Sequence, residues 1–124
     1  MTHDDQRPIL VVDDDEIILS TLALFLADEG YAVVTAGNGQ EALERAARQH
    51  LQLILLDMKM PVMDGWAFAA AYRERPGPHA PIIVMTAARD ARGRAAEIAA
   101  DGCLAKPFDL DHLLDLVRRY VAQS

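Results

Sequence analysis

Five apolar runs of strand length recur along the chain, and most of them stop abruptly at a residue able to do chemistry. Pro8-Ile9-Leu10-Val11-Val12 stops at Asp13-Asp14-Asp15-Glu16, Leu51 to Leu56 at Asp57, Pro81 to Met85 at Thr86, and Gly102 to Ala105 at Lys106-Pro107. Tyr31 to Thr35 supplies the remaining run. Apolar runs without polar alternation suit strands buried on both faces, the condition of a parallel sheet.

Helical signals fill the intervals. Ile17 to Ala27 is free of Gly and Pro until Gly30 stops it, and Asn38 is placed to cap a helix through Glu41, Ala42, Leu43 and Ala46. Asp64-Gly65 turns the chain into a helix from Trp66 to about Glu74, which Pro76-Gly77-Pro78 breaks. Asp90 to Ala100 predicts a weaker helix, because Gly93 inside it costs roughly 1 kcal/mol relative to Ala. Asp109 caps a last helix to about Ala122. Such alternation, joined by right-handed crossovers, predicts a flavodoxin-like (βα)5 three-layer sandwich. Its parallel five-stranded sheet takes the order 2-1-3-4-5. The 124 residues suit one domain, 1–124.

Bulk properties narrow the function. Hydrophobic residues are 52% and charged residues 25% of the chain, enough for a normal core. A net charge of −7 argues against nucleic-acid binding by this domain, since phosphate contacts need a basic surface. No apolar run is long enough to span a membrane, and the polar start Met1 to Arg7 lacks a signal peptide's apolar stretch. With Cys103 the single cysteine, a cytoplasmic location is expected. Of 12 basic residues only Lys59 and Lys106 are lysines, a weak hint that each is retained for its compact charge.

In open α/β sheets, ligands bind beyond the carboxyl ends of the strands, where the strand order reverses. Asp13-Asp14, Asp57, Thr86 and Lys106 all fall there. Carboxylates this close cannot all stay ionised cheaply without a cation, and an incomplete oxygen cage favours Mg²⁺. Lys106 and Thr86 suit phosphoryl oxygens, and a carboxylate such as Asp57 can attack phosphorus.

Four blocks carry a family resemblance: Leu10 to Asp15, Leu55 to Gly65, Met85-Thr86-Ala87 and Lys106-Pro107-Phe108. In content, order and spacing they resemble response-regulator receiver domains of two-component signalling, of the chemotaxis-receiver kind, over nearly the whole chain. The resemblance implies that Asp57 is the phosphoacceptor. Asp14 would be a direct Mg²⁺ ligand, Asp13 would assist through water, and the Lys59 backbone carbonyl would complete the protein ligands. Thr86 and Lys106 would hold phosphoryl oxygens, and the Lys106–Pro107 bond would be cis. It further implies a phosphodonor partner, a sensor histidine kinase or histidine phosphotransfer protein. Output would pass through the face of the fourth helix, fifth strand and fifth helix, to a downstream protein, an output domain or a second copy in a dimer. The chain would then be a switch with self-catalysed phosphoryl transfer and dephosphorylation, not an enzyme acting on external substrates. No output domain follows Ala122-Gln123-Ser124, so a stand-alone regulator or an excised receiver is expected.

Plainer readings compete with these. Asp15 and Glu16 read as helix-capping residues. His3, His50, His79 and His112 show no ligand spacing, and Met58, Met60 and Met63 read as packing. Trp66 is expected to pack near the start of the third helix. The family's usual aromatic three residues before the lysine is here Cys103, which puts the coupling of Thr86 to an aromatic in doubt. Ala99 stands for a usual Gly, expected to be a minor change. Lys59 and Ala88 flank the site and suggest slow self-dephosphorylation. In the last helix Leu110, Leu113, Leu114, Val117 and Val121 form the inward stripe. His112, Leu116 and Tyr120 fall on another face that is either scattered apolarity or partner surface, with Arg89, Arg92 and Arg94 as a basic rim.

Two rival functions remain at this point. One is a phosphatase with Asp13 as aspartyl nucleophile, from the Asp13-x-Asp15 pattern, although Asp57 would then lack a purpose. The other is a receiver-like module that binds without phosphate. Flavin binding is disfavoured because no Ser/Thr/Gly-rich loop follows the first strand.

Overall fold

The computed structural model describes residues 7–87 and 89–121. Strands β1 (Ile9–Val12), β2 (Val33–Ala36), β3 (Leu53–Asp57), β4 (Ile82–Ala87) and β5 (Gly102–Lys106) alternate with five helices. These are α1 (Glu16–Asp28), α2 (Gly39–Arg48), α3 (Gly65–Glu74), α4 (Ala91–Glu97) and α5 (Leu110–Val121). All strand pairs are parallel and the order is β2-β1-β3-β4-β5, the architecture expected from the apolar runs.

Strand alternation sorts the core into two layers. Ile9, Val11, Leu53, Leu55, Ile83, Met85 and Leu104 face α1 and α5, against Leu22, Leu26, Leu113 and Val117. Leu10, Val12, Ile54, Leu56, Ile82 and Val84 face the other way, against Ala42, Phe68, Tyr72 and Ile98 of the α2–α4 layer. Each fully buried Leu or Ile contributes roughly 1.5–3 kcal/mol, so the unbroken runs are what both faces require.

Helix starts follow the sequence signals. Asp15 caps α1, accepting the Ile17 and Ile18 amides at 2.9 and 3.3 Å, and Asn38 accepts from Glu41 at 2.9 Å. Asp64 accepts from Ala67 at 2.9 Å, and Asp109 from His112 at 2.7 Å. Gly30 ends α1 at φ 97, where a side chain would be strained.

Two boundaries and one helix face differ from expectation. Tyr31 lies outside β2, because the Gly30 turn sends its amide back to the Leu26 carbonyl and its ring into the core. The fourth helix is only seven residues long, ending where Ala99 takes φ 51. The Ala-for-Gly difference at 99 is therefore not minor: a left-handed alanine costs roughly 1 kcal/mol or more. In α5, Leu116 is buried and Tyr120 lies over β5, its hydroxyl donating to the Asp101 carbonyl. The reading of Leu116 and Tyr120 as partner surface is thereby corrected, and of that face only His112 is exposed. The helix's expected end at Ala122 lies outside the described residues, as does His3.

Candidate functional site

The β1–α1 junction must satisfy three consecutive aspartates, and it gives them separate tasks. Asp15 is exposed and caps the helix. Asp13 is buried and turns back over the sheet, where one oxygen accepts the Asp15 amide at 2.9 Å. Its other oxygen accepts from Lys106 Nζ at 2.7 Å. Asp14 is exposed at the rim.

Asp57 is the last residue of β3. Val12 pairs with Leu56, so Asp13 and Asp57 sit side by side one step beyond the paired residues of β1. Carboxylate oxygens of Asp13, Asp14 and Asp57 lie within 4.8 Å of one another. Lys106 closes the cluster from β5, with Nζ 3.7 Å from Asp57.

The electrostatics arise from that geometry. Burial pushes Asp57 up to about 6, and the charges of Asp13 and Asp14 push the same way, while Lys106 and the Met58 amide pull it down. Burial opposes the charge on Lys106, but its hydrogen bond to Asp13 and the charges of Asp57 and Asp13 outweigh it and hold Lys106 above its usual value. Negative charge is thus in excess here and one ammonium does not cancel it. Three convergent carboxylates with one exposed member are a donor set that fits a hard divalent cation and leaves coordination positions to water and ligand.

The β3–α3 loop behind Asp57 is packed without slack. The Gly65 amide donates to the Met58 carbonyl at 2.9 Å. A Cβ at Gly65 would lie 2.7 Å from Met58 Sδ and 2.9 Å from the Asp57 carbonyl, so only glycine fits. Met58 is buried, and Met60 and Met63 pack against the core, as the packing reading of the methionines had it. Val62 is strained as well as 77% exposed, at φ 70.

Thr86 is placed differently from the other members. It lies one residue past Met85, the Asp57 partner, so alternation sends its side chain toward the α2–α4 face rather than the Asp57 face. Among the described residues it makes no hydrogen bond to Asp13, Asp57 or Lys106. Cys103 is directed the same way and packs against the α2–α4 core. Lys59 is exposed, the Lys106–Pro107 bond is cis, and Ala88 lies outside the described residues. Of the histidines, His79 packs edge-on to Tyr72 and its Nε2 meets the Arg75 carbonyl, away from the acidic cluster.

One feature beside the site went unread in the sequence. A cleft of about 540 Å³ opens against Lys106, lined by Ile17, Ile18, Thr21, Pro107, Phe108 and Leu110. Its signal was Ile17, an apolar residue directly after the acidic run and 77% exposed.

Comparison with known proteins places the fold. The family model described as "Response regulator receiver domain" matches residues 9–118. The chain is 36% identical over 118 residues to the transcriptional regulatory protein PcoR of Escherichia coli, covering 94% of this chain and 52% of that protein. It spans about half the length of the curated relatives it matches. Among solved structures, the chemotaxis response regulator CheY4 of Vibrio cholerae superposes with a TM-score of 0.84 at 33% identity, covering 94% of this chain and 99% of that one. The receiver domain of a sensor histidine kinase of Pseudomonas aeruginosa, whose active-site cleft coordinates a magnesium ion, gives 0.85 at 30%, covering 95% and 99%.

Proposed function

Because the chain belongs to the response regulator receiver domain family, we propose that it accepts a phosphoryl group on Asp57 and that residues 1–124 act as one receiver domain. The observation that carries this reading is the packing of Asp13, Asp14 and Asp57 within 4.8 Å, faced by Lys106.

Each residue has a task that its position supports. With a folded value of about 6, Asp57 is mostly carboxylate at neutral pH, and its burial leaves that carboxylate thinly solvated and able to attack phosphorus. A bond forms between its oxygen and phosphorus as the donor's bond to phosphorus breaks, and that electron pair leaves on the donor atom. Lys106, steered by the Asp13 hydrogen bond, stands 3.7 Å from Asp57 and offsets charge on the arriving oxygens. Thr86, at the end of β4, would take another phosphoryl oxygen from the far side of the strand. Asp13, Asp14, Asp57 and the Lys59 carbonyl are the residues that would hold Mg²⁺. When bound, that ion neutralises charge on the transferring phosphoryl group.

The donor is a phosphohistidine of a sensor kinase or phosphotransfer protein. It must approach past Ile17, Val62 and the cleft beside Lys106, the apolar rim of an otherwise acidic opening. A downstream protein or an attached output domain reads the result, in the cytoplasm. The Asp13 phosphatase reading finds little support, since Asp13 is buried against Lys106 and Asp15 is committed to capping α1.

The deciding experiment is incubation with acetyl phosphate and Mg²⁺, then intact mass of the parent, Asp57→Asn and Asp13→Asn. The parent should gain one phosphoryl group and Asp57→Asn none. Label retained in Asp57→Asn would refute the assignment.

A further inference from the structure

The element that should read the site is held by very little of its own. Helix α4 has seven residues, its Asp90 cap makes no side-chain hydrogen bond, and Gly93 sits inside it with open space where a Cβ would be. So short a helix gains little from its own hydrogen bonds and depends on tertiary contacts. Residue 103, beneath it on β5, is Cys, too small to report by changing rotamer.

Packing on β4 and β5, together with polar ties to α3, makes up the difference. The Arg94 guanidinium lies 5.0 Å from the centre of the Trp66 ring and pairs with Glu97 at 3.0 Å. Trp66 Nε1 donates to the second oxygen of the same Glu97. Arg73, near the end of α3, donates to the carbonyls of Ile98 and Ala99, just past α4. Ile98 is buried in the α2–α4 layer of the core, and Ala95 packs against that layer.

Both halves of this arrangement lead back to the site. Trp66 comes directly after Gly65, which is wedged against Met58 and the Asp57 carbonyl. Arg94 and Glu97 lie downstream of Thr86-Ala87, with the Asp90 amide on the Ala87 carbonyl at 2.9 Å. A shift at the end of β3 or of β4 therefore moves the two halves against each other. The Arg94–Glu97 pair lies within α4, so what crosses between the helices is the Trp66 hydrogen bond and the Arg94–Trp66 stacking. The hydrogen bond loses its geometry over a displacement of about 1 Å.

We infer that Trp66, Arg94 and Glu97 form a clasp between α3 and α4, and that phosphorylation of Asp57 opens it, in place of a side-chain switch at Cys103. The inference rests on Asp57 being the phosphoacceptor. Closed, the clasp fixes α4 against α3. Open, it releases Arg94 and Glu97 from Trp66 and lets the short helix move.

The test uses the full chain with Mg²⁺ and acetyl phosphate, with occupancy of Asp57 read by intact mass. Trp66 is the single tryptophan, so the indole emission comes from a member of the clasp, and amide exchange over α4 separates the clasp from changes at the loop. Phosphorylation should shift that emission and speed amide exchange over 91–97 by about five- to thirtyfold, the factor that losing 1–2 kcal/mol of hold produces. The double variant Arg94→Met, Glu97→Gln should exchange faster already without phosphate, take up phosphate normally, and show little further acceleration. Phosphorylated Asp57 with unchanged emission and exchange would overturn the clasp and leave the phosphoacceptor intact. A parent-sized response in the double variant would also overturn it. Failure to label Asp57 at all would remove the reading of the site, and the clasp's role with it.

Discussion

Replacing Asp57 by Asn is expected to stabilise the metal-free protein at neutral pH. Asn preserves the shape and can still accept the Met58 amide, but removes a charge that burial, Asp13 and Asp14 all oppose. The folded value is raised from 3.8 to about 6. Between those values the folded state binds more protons than the unfolded state, so stability falls as pH rises through the window. At 1.36 kcal/mol per unit, the ionised carboxylate costs up to about 3 kcal/mol above pH 7, roughly half that at pH 5 and little at pH 4. Urea denaturation of both proteins in EDTA at pH 4, 5, 7 and 8 measures this directly. The gap should be largest at pH 7–8 and nearly closed at pH 4. For a chain of this size about 3 kcal/mol is roughly 10 °C in Tm. Adding Mg²⁺ should stabilise the parent selectively, shrinking the gap at pH 7. A variant no more stable than the parent at pH 7, or a gap that widens toward pH 4, would refute the claim that like charge and burial dominate at Asp57.

Gly65→Ala drives a methyl into Met58 and the Asp57 carbonyl, and should cost about 1–3 kcal/mol in urea unfolding while slowing phosphate uptake by the displaced Asp57. Lys106→Met strips buried Asp13 of its 2.7 Å partner and should cost about 2 kcal/mol by the same assay. It should also move the pH window of Asp57 upward, because Lys106 is a charge that holds it down. Two opposite exchanges in and just after α4 should both stabilise: Ala99→Gly by about 0.5–1 kcal/mol through relief of φ 51, and Gly93→Ala by about 1 kcal/mol through helix propensity. A loss of stability from either would mean that the α4 backbone is not as described.

Much of the fold was legible because its signals are local. Apolar runs such as Leu51 to Leu56 announce strands covered on both faces, and Asp15, Asn38, Asp64 and Asp109 announce helix starts through bonds that span two or three residues. The clustering of Asp13, Asp14, Asp57 and Lys106 could also be read, since parallel strands bring their carboxyl ends to one edge. Partnerships across distant stretches could not be read. Nothing near Trp66 points to Arg94 and Glu97, 28 and 31 residues on. Nor does the periodicity of α5 say that Tyr120 will reach back to Asp101 rather than outward. Ala99 misleads because a residue type does not reveal its own φ, and Tyr31 because one left-handed glycine redirects the residues after it.

Strand parity at the site carries one more consequence. Asp57, Asp13 and Lys106 stand on the α1–α5 side of the sheet, and Thr86 and Cys103 on the α4 side, purely by odd and even position. Apart from Thr86, whose hydroxyl would serve the site from the far side, positions within β4 and β5 can therefore be substituted one by one, retuning one side without touching the other. Deleting a single residue between Ile82 and Met85 has the opposite character. It would turn Thr86 to the carboxylates and send the residues around it through the sheet, exchanging both sides at once. In this stretch the chain is tolerant of spelling and intolerant of frame.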